Sequence, residues 1–350
     1  MNLSELAQHL DLAISTVSRV LSGNAKKYRI SETTARRILA AAEEHNVIPD
    51  PLGASLRKGS LGMIGLLVPD ITNPFFSHLA RSIELELRNA NIAVQLCDSS
   101  EEVETEARLF QKLLARRLDG LIIAPVGNDT LGLSALIEKA QMPIVVIDRV
   151  IPGLQIPSVS LDNAHAGRLA AEHLIKAGHR KIGCLRGSYE SQSDQERLKG
   201  VEEAMTDAGL KADDLFVAGK GSSRTASLDG ARELLDREHR PTAIVTLSGQ
   251  GILAVLERAT ALGLSIPGEL SVIAFDEQPW SPFMNPPLTT ISQPVAEMAG
   301  EAVKFLKTAL AEKSEVPRAD SPANPPQRVL KASICERHSV TAPPGDAVTG

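Results

Sequence analysis

Residues 12–20 read Leu12-Ala13-Ile14-Ser15-Thr16-Val17-Ser18-Arg19-Val20, almost at the start of a 350-residue chain. Val17, Val20 and Leu21 fall on one helical stripe, and the residues just before carry a second stripe of Leu3, Leu6, Ala7 and Leu10. Asp11-Leu12-Ala13 is so short a connection that the two helices must cross steeply. That crossing leaves Ile14, Ser15, Thr16, Ser18 and Arg19 on the outer face, where short polar side chains and one fork-shaped cation suit a duplex major groove. A stripe of Leu and Val is core in any small helical cap, so the pattern takes its meaning from what surrounds it.

A third helix is predicted from Ser31 to about His45, with Ser31 as N-cap, Thr34 where a capping-box Glu would sit, and Ile38, Leu39 and Ala42 as its apolar face. Between the second and third helices, Lys26, Lys27, Tyr28 and Arg29 are suited to phosphate contact. After this head of residues 1–46 comes a linker, 47–60, in which Asp50 and Pro51 could start one short helix and Gly59 end it.

The net charge of −6 argues against nucleic-acid binding by the whole surface. Residues 1–60 differ in sign, with eight cations against six anions, which leaves −8 for the remainder. The cations cluster after the second helix and in the linker. Hydrophobic residues make up 43% of the chain, enough for a large core. No apolar run is long enough to span a bilayer, and the first residues enter an amphipathic helix with no basic and apolar leader, so a cytoplasmic protein is expected. Cys97, Cys184 and Cys335 are widely separated, with no zinc spacing and an odd count for disulfides. No metal and no cofactor is expected.

From Gly62 onward, apolar runs of strand length alternate with amphipathic helices. The clearest runs are Met63–Val68, Ile92–Cys97, Leu121–Ala124, Ile144–Ile147, Ile182–Leu185, Ala243–Leu247 and Val272–Phe275. Continuous apolar strands separated by crossover helices imply parallel sheets covered on both faces. The spacing gives two such units, the second beginning near Asp162. Val329–Ile334 reads as one last strand, and the tail 339–350 as disordered.

The chain resembles the lac repressor family of bacterial transcription regulators from Met1 to about His338. The resemblance is carried by Thr16-Val17-Ser18-Arg19-Val20-Leu21 in the head, Ala54-Ser55-Leu56-Arg57 in the linker, and Ile64-Gly65-Leu66-Leu67-Val68-Pro69-Asp70 with Ile71-Thr72-Asn73-Pro74-Phe75-Phe76 at the start of the core. Asp148-Arg149, Gly178-His179-Arg180-Lys181-Ile182 and Pro286-Pro287-Leu288-Thr289-Thr290 follow in order. It implies an α/β chain with a three-helix helix-turn-helix head, a hinge helix, and a two-lobed periplasmic-binding-protein-like core, 61–338, with two parallel sheets. The chain would cross between lobes near residues 161, 291 and 325, so that lobe 1 takes 61–161 and 291–325 and lobe 2 takes 162–290 and 326–338.

By the same resemblance Ile14 and Ser15 occupy the principal base-reading positions and Arg19 the one that meets a guanine edge, while Leu56, from paired hinge helices, levers apart base steps in the minor groove. Two heads on a two-fold axis predict a homodimer on a pseudo-palindromic operator, controlled by a small effector such as a sugar. Ligands in open α/β folds sit beyond the carboxyl ends of strands. That makes Asn73, Phe75, Phe76, Asp148, Arg149 and Asp276 candidate walls of an interlobe cleft, with Trp280 and Gln293 as additions. A polar residue just past a strand also commonly caps the next helix, so each has a bland reading as well.

The sequence departs from the family at several positions. Asp11 stands for the usual turn glycine and Ala13 for a capping serine. Gln195 aligns with the usual pocket arginine, leaving Arg197 to face a ligand or pair with an acid on its own helix, and Ser248-Gly249 replaces an Asn-Asp pair. An enzyme has little support: Arg224 stands where the third glycine of a dinucleotide loop after Gly219-Lys220-Gly221 would be, and no Walker, Gly-x-Ser-x-Gly or metal-spaced histidine motif occurs. The better rival is a ligand-binding protein without autonomous DNA binding, against which the head discriminates.

Overall fold

The computed structural model describes residues 1–21, 23–47, 61–116, 118–127, 132–187, 191–221, 223–313 and 325–344. The hinge segment 48–60, with Leu56, lies outside the described residues. The chain divides into two compact units, Met1–Gly62 and Met63–Gly350.

In the first unit, α1 (Leu3–His9) is opened by a capping box: Asn2 Oδ1 accepts from the Glu5 N–H and the Glu5 carboxylate accepts from the Asn2 N–H, both at 2.9 Å. The turn to α2 (Ile14–Leu21) passes through Asp11 at φ 50°, the left-handed conformation that glycine adopts without strain. Ser31 caps α3 (Glu32–Glu44) by accepting from the Thr34 N–H at 3.2 Å. Leu6, Ala7, Leu10, Val17, Val20, Ile38 and Ala42 form the core of this unit. Leu39, expected on the apolar face of α3, is instead 51% exposed, because the interior of so small a bundle is already filled by Ile38 and Ala42. The Arg37 guanidinium donates to the Leu10 carbonyl at 2.7 Å and ties α3 to the end of α1.

The second unit is doubly wound twice. Its chain order is β1 (Met63–Val68), α4 (Pro74–Arg88), β2 (Ala93–Asp98), α5 (Val103–Ala115), β3 (Gly120–Ile123), α6 (Leu133–Lys139), β4 (Ile144–Asp148) and β5 (Ser158–Leu161). Then follow α7 (Asn163–Lys176), β6 (Ile182–Leu185), α8 (Gln192–Asp207), β7 (Leu215–Ala218), α9 (Arg224–Leu235), β8 (Ala243–Thr246), α10 (Gly251–Ala261) and β9 (Ser271–Phe275). β10 (Thr289–Ser292), α11 (Val295–Lys313), β11 (Gln327–Leu330) and β12 (Ser333–Cys335) complete it. The sheet orders are β11-β5-β4-β3-β1-β2 and β12-β10-β9-β8-β6-β7.

In the first lobe, α4 and α11 cover one face through Leu79, Ile83, Met298 and Leu306, and α5 and α6 the other through Phe110, Leu113 and Ile137. In the second, α7 and α8 lie on one face and α9 and α10 on the other. The strands are parallel throughout the first sheet, and in the second all but β12, which runs antiparallel to β10. The expected single strand Val329–Ile334 is thus two strands in different sheets. Leu330 packs into the first core and Ala332 into the second, so the third crossing falls at Lys331–Ala332 rather than near 325. The tail also corrects expectation as far as residue 344. Buried Ser339 accepts from the Thr289 N–H at 2.8 Å and donates to the Val272 carbonyl at 2.6 Å, and the Thr341 N–H reaches Ser271 Oγ at 3.1 Å. Residues 345–350 lie outside the described residues.

Glycine decides one packing feature that matters for the cleft. A Cβ on Gly167 of α7 would collide with the Arg197 carbonyl of α8, and one on Gly200 with the Ala164 carbonyl. The two helices therefore meet backbone to backbone, and this contact sets where Asn163 and Arg197 sit.

Candidate nucleic-acid interface and ligand cleft

The outer face of α2 is built by what its inner face buries. Val17 and Val20 go into the core, which leaves Ile14 50% exposed, Ser15 and Arg19 exposed, and Thr16 and Ser18 half-buried. Ala13, at the N-cap position, accepts the Val17 N–H on its carbonyl at 3.2 Å but brings no side-chain acceptor to the first turn. After α2 the chain folds back on it: the Asn24 N–H donates to the Arg19 carbonyl at 2.9 Å, Tyr28 N–H to the Asn24 carbonyl at 3.2 Å, and Ile30 N–H to the Ala25 carbonyl at 3.0 Å. Lys26, Lys27, Tyr28 and Arg29 are all exposed on this loop, with Arg29 at φ 53°. The Arg19 guanidinium carbon lies 4.1 Å above the centre of the Tyr28 ring, and the Lys27 ammonium 6.0 Å from it.

In the core, two carboxylates mirror each other. Asp148 ends β4 of the first lobe at φ 67°, and Asp276 follows β9 of the second at φ 66°; both are buried. Burial pushes the Asp148 carboxyl up to about 6, against the pull of Arg149 and Arg197 and with the push of Asp276. Asp276 is raised for the same first reason, while Arg197, Gln293 and the Gly249 N–H pull it down. Gly249 is needed there, since a Cβ on it would sit 2.7 Å from the Asp276 carboxylate. Gln293 donates to Asp276 Oδ1 at 2.6 Å.

Arg197 is 5% exposed and belongs to this cluster. Its Nε donates to Asn163 Oδ1 at 2.8 Å, its Nη1 to the Leu247 carbonyl at 2.7 Å, and its guanidinium carbon lies 3.9 Å from the centre of the Phe275 ring. These partners, rather than an acid on its own helix, hold it. Arg149 is tied down differently: Glu101 takes its fork with two bonds of 2.9 Å, and the Val126 carbonyl accepts a third. Glu106 holds the same loop, accepting the Val126 N–H at 2.8 Å, and burial pushes its carboxyl up to about 7. A side-chain hydrogen bond also joins the lobes, from Gln250 Nε2 to Asp70 Oδ2 at 2.9 Å.

Other candidates lie apart from this cluster. Asn73 caps α4, accepting the Phe75 N–H at 3.0 Å, and Phe75 and Phe76 are core residues, with the Phe76 ring 5.4 Å from the Arg149 guanidinium. Trp280 packs half-buried against the core of the second lobe. Gln195 is exposed on α8 while Arg197 two residues on is buried: helical periodicity turns one outward and the other in. Ser248 lies half-buried beside Gly187.

A cavity of about 520 Å³ opens between the lobes, and of the expected wall residues it reaches Asp148 alone. Its other polar walls include Ser160, Asn163, Gln192, Ser193 and Glu196. Sequence reasoning missed Asn163 and Gln192, each the first residue of a helix; for Asn163 the available signal was its place directly after the first expected lobe crossing. Asp148 Oδ1, Gln192 Oε1 and Gln293 Oε1 are buried acceptors with no hydrogen-bond partner among the described residues. Asp148 and Gln192 line the cavity, whereas Gln293 does not, and buried polar atoms left in this state are costly.

A helix-turn-helix with an exposed polar reading face, followed by a two-lobed core with an acceptor-lined cleft, defines a ligand-responsive DNA-binding regulator. The description "Bacterial regulatory proteins, lacI family" matches residues 2–50, and "Periplasmic binding protein-like domain" matches 171–340. The HTH-type transcriptional regulator DegA of Bacillus subtilis is 32% identical over 299 residues, 85% of this chain and 88% of that one. The lac repressor dimer bound to operator and the anti-inducer ONPF superposes with a TM-score of 0.83 at 25% identity, covering 98% of this chain and 99% of that one. A LacI family regulator from Enterococcus faecium with bound ribose gives 0.68 at 28% identity, over 80% and 99%. The chain belongs to the LacI family of bacterial transcription regulators.

Proposed function

We propose that the chain is a homodimeric repressor. Its head, 1–46, reads a pseudo-palindromic operator through Ile14, Ser15, Thr16, Ser18 and Arg19. Lys26, Lys27 and Arg29 meet the backbone, and the hinge 47–60 places Leu56 in the minor groove. The core, 61–338, dimerises and binds the effector. A protein acting on operator DNA of this kind works in the cytoplasm, and its relatives are regulators, which supports a binding rather than a catalytic role for the cleft. The DNA reading is supported above all by the way Val17 and Val20 anchor α2 and leave its polar face and Arg19 outside.

For the effector, the carrying observation is the set of buried acceptors, Asp148 Oδ1, Gln192 Oε1 and Gln293 Oε1. Unpaired acceptors select donors, and the donor-rich small molecules are polyhydroxylated ones. The ribose-bound relative supports the same class. Asp148, Arg197 and Asp276, with Gln293 and Asn163, are the residues assigned to this task; Gln195 and Ser248 are not. Occupancy would change lobe closure and bias the hinge, and thereby operator affinity, by the ligand's differential affinity for the two states. Titrating a panel of neutral pentoses and hexoses against operator-bound full-length protein tests this. The expected result is one sugar that shifts operator affinity in the wild type and fails to do so in Asp148→Asn. A sugar that binds the cleft and leaves operator affinity unchanged would refute the coupling.

A further inference from the structure

The loop after α2 does more than offer cations to a backbone. We propose that Tyr28 is a positioning residue for base reading: its ring is the platform that holds the Arg19 guanidinium ready for a guanine edge. The inference rests on the assignment of Arg19 as the guanine reader.

An exposed arginine on a helix face is free to sample many rotamers, and ordering it on binding opposes affinity. Most devices that order an arginine consume it. Arg149 of this same chain shows how, since Glu101 occupies both prongs of its fork. Arg19 is held in another way. Its guanidinium carbon sits 4.1 Å over the Tyr28 ring, a cation–π contact that spends none of its N–H donors on an anionic partner. Among the described residues no acid is ion-paired with Arg19. A side chain so arranged is ordered and still able to donate two parallel bonds to O6 and N7 of guanine.

The platform is fixed to the residue that it carries. The Asn24 N–H bonds to the carbonyl of Arg19 itself, and the Tyr28 N–H bonds to the carbonyl of Asn24. Ile30, just beyond, packs half-buried on the core of the head. The ring therefore moves with α2 rather than independently of it. Lys27, 6.0 Å from the ring on the same loop, is left as a phosphate contact. Tyr28 thus serves specificity through Arg19, and not affinity through its hydroxyl.

The test uses full-length protein, its selected operator, and duplexes substituted at one half-site base pair at a time, each measured at several salt concentrations. Arg19→Ala is expected to abolish discrimination at one guanine position. Tyr28→Leu and Tyr28→Ala should weaken discrimination at that same position by about two- to fivefold per half-site, with other positions and the salt slope unchanged. Tyr28→Phe, which keeps the ring, should match the wild type. Lys27→Ala should act uniformly across sequences and reduce the salt slope by about 0.9 per half-site. The proposal is overturned if Tyr28→Phe behaves like Tyr28→Ala and both lose affinity uniformly across sequences at an unchanged salt slope, which makes the hydroxyl a neutral hydrogen-bond donor to a phosphate. It is overturned equally if the Tyr28 variants lose affinity uniformly or change nothing. Loss of no single position in Arg19→Ala would instead overturn the reading on which the proposal rests, and is seen separately.

Discussion

The head and the cleft handle their working side chains in opposite ways. The head buries Val17, Val20 and Ile38 and sets everything polar outside, where Arg19 keeps its donors free on the Tyr28 ring. The cleft buries its charges: Asp148, Arg197 and Asp276 are all under a tenth exposed, locked by Asn163, Leu247 and Gln293, with acceptors left over. A partner as large as a duplex brings its own charge and shape to a surface. A small ligand must find its chemistry already desolvated, which requires residues from several elements of two lobes to converge. The two regions should therefore respond differently to substitution.

The largest effect is expected in the cleft. Arg197→Ala removes two charge-assisted hydrogen bonds and a ring contact, and takes their donor from Asn163 Oδ1 and the Leu247 carbonyl. The core should lose about 3 kcal/mol by chemical denaturation, with no change in the melting of the head. Equal loss in both units would break the comparison. Next comes Glu106. Because burial raises its folded pKa from 4.5 to about 7, the stability it contributes is whole below about pH 4.5 and is lost as pH rises through 7. Glu106→Gln, which can still accept the Val126 N–H, should flatten this profile and stabilise the core at pH 8 by up to about 3 kcal/mol. A wild-type core as stable at pH 8 as at pH 5, with the variant no different, would contradict the assignment.

In the head, Arg19→Ala should cost about 1 to 3 kcal/mol of operator affinity per half-site at fixed salt while leaving core stability untouched. The smallest effect is at the turn. Asp11 holds φ 50° at a position where glycine is unstrained, so Asp11→Gly should stabilise the head by about 1 kcal/mol, read as a rise in its thermal midpoint. A fall would mean that the Asp11 side chain is doing something the turn depends on.

The same contrast governs how much could be read from sequence. Strands β1 and β6 begin and end where their apolar runs do, because both faces are buried by helices. β5 and β10, Ser158-Val-Ser-Leu and Thr289-Thr-Ile-Ser, were not legible: they are short and half polar, and they form because parallel neighbours take their backbone groups. β11 and β12 merged into one apparent run since two residues between them are too few to show a change of sheet. In the head, the exposed face of α2 followed from helical period alone. In the cleft, Asp148 and Asp276 stand past apolar runs that the sequence shows, whereas Gln293 follows β10, whose run it does not show. The place of Arg197 and the exposure of Gln195 depended on the rotation of α8, itself fixed by the glycine contact with α7. Asn163 stands where a helix begins after the first lobe crossing, but its pairing with the Arg197 side chain opposite left no pattern in one dimension.

The most direct test of the central claim, that α2 and its loop read an operator, is selection of random-core duplexes by the full-length protein at near-physiological salt, in parallel with Arg19→Ala. The account predicts a palindrome enriched by the wild type, with a guanine in each half-site that the variant no longer selects. A folded dimer that enriches no palindrome, or a variant that selects the same site with the same guanine, would contradict it.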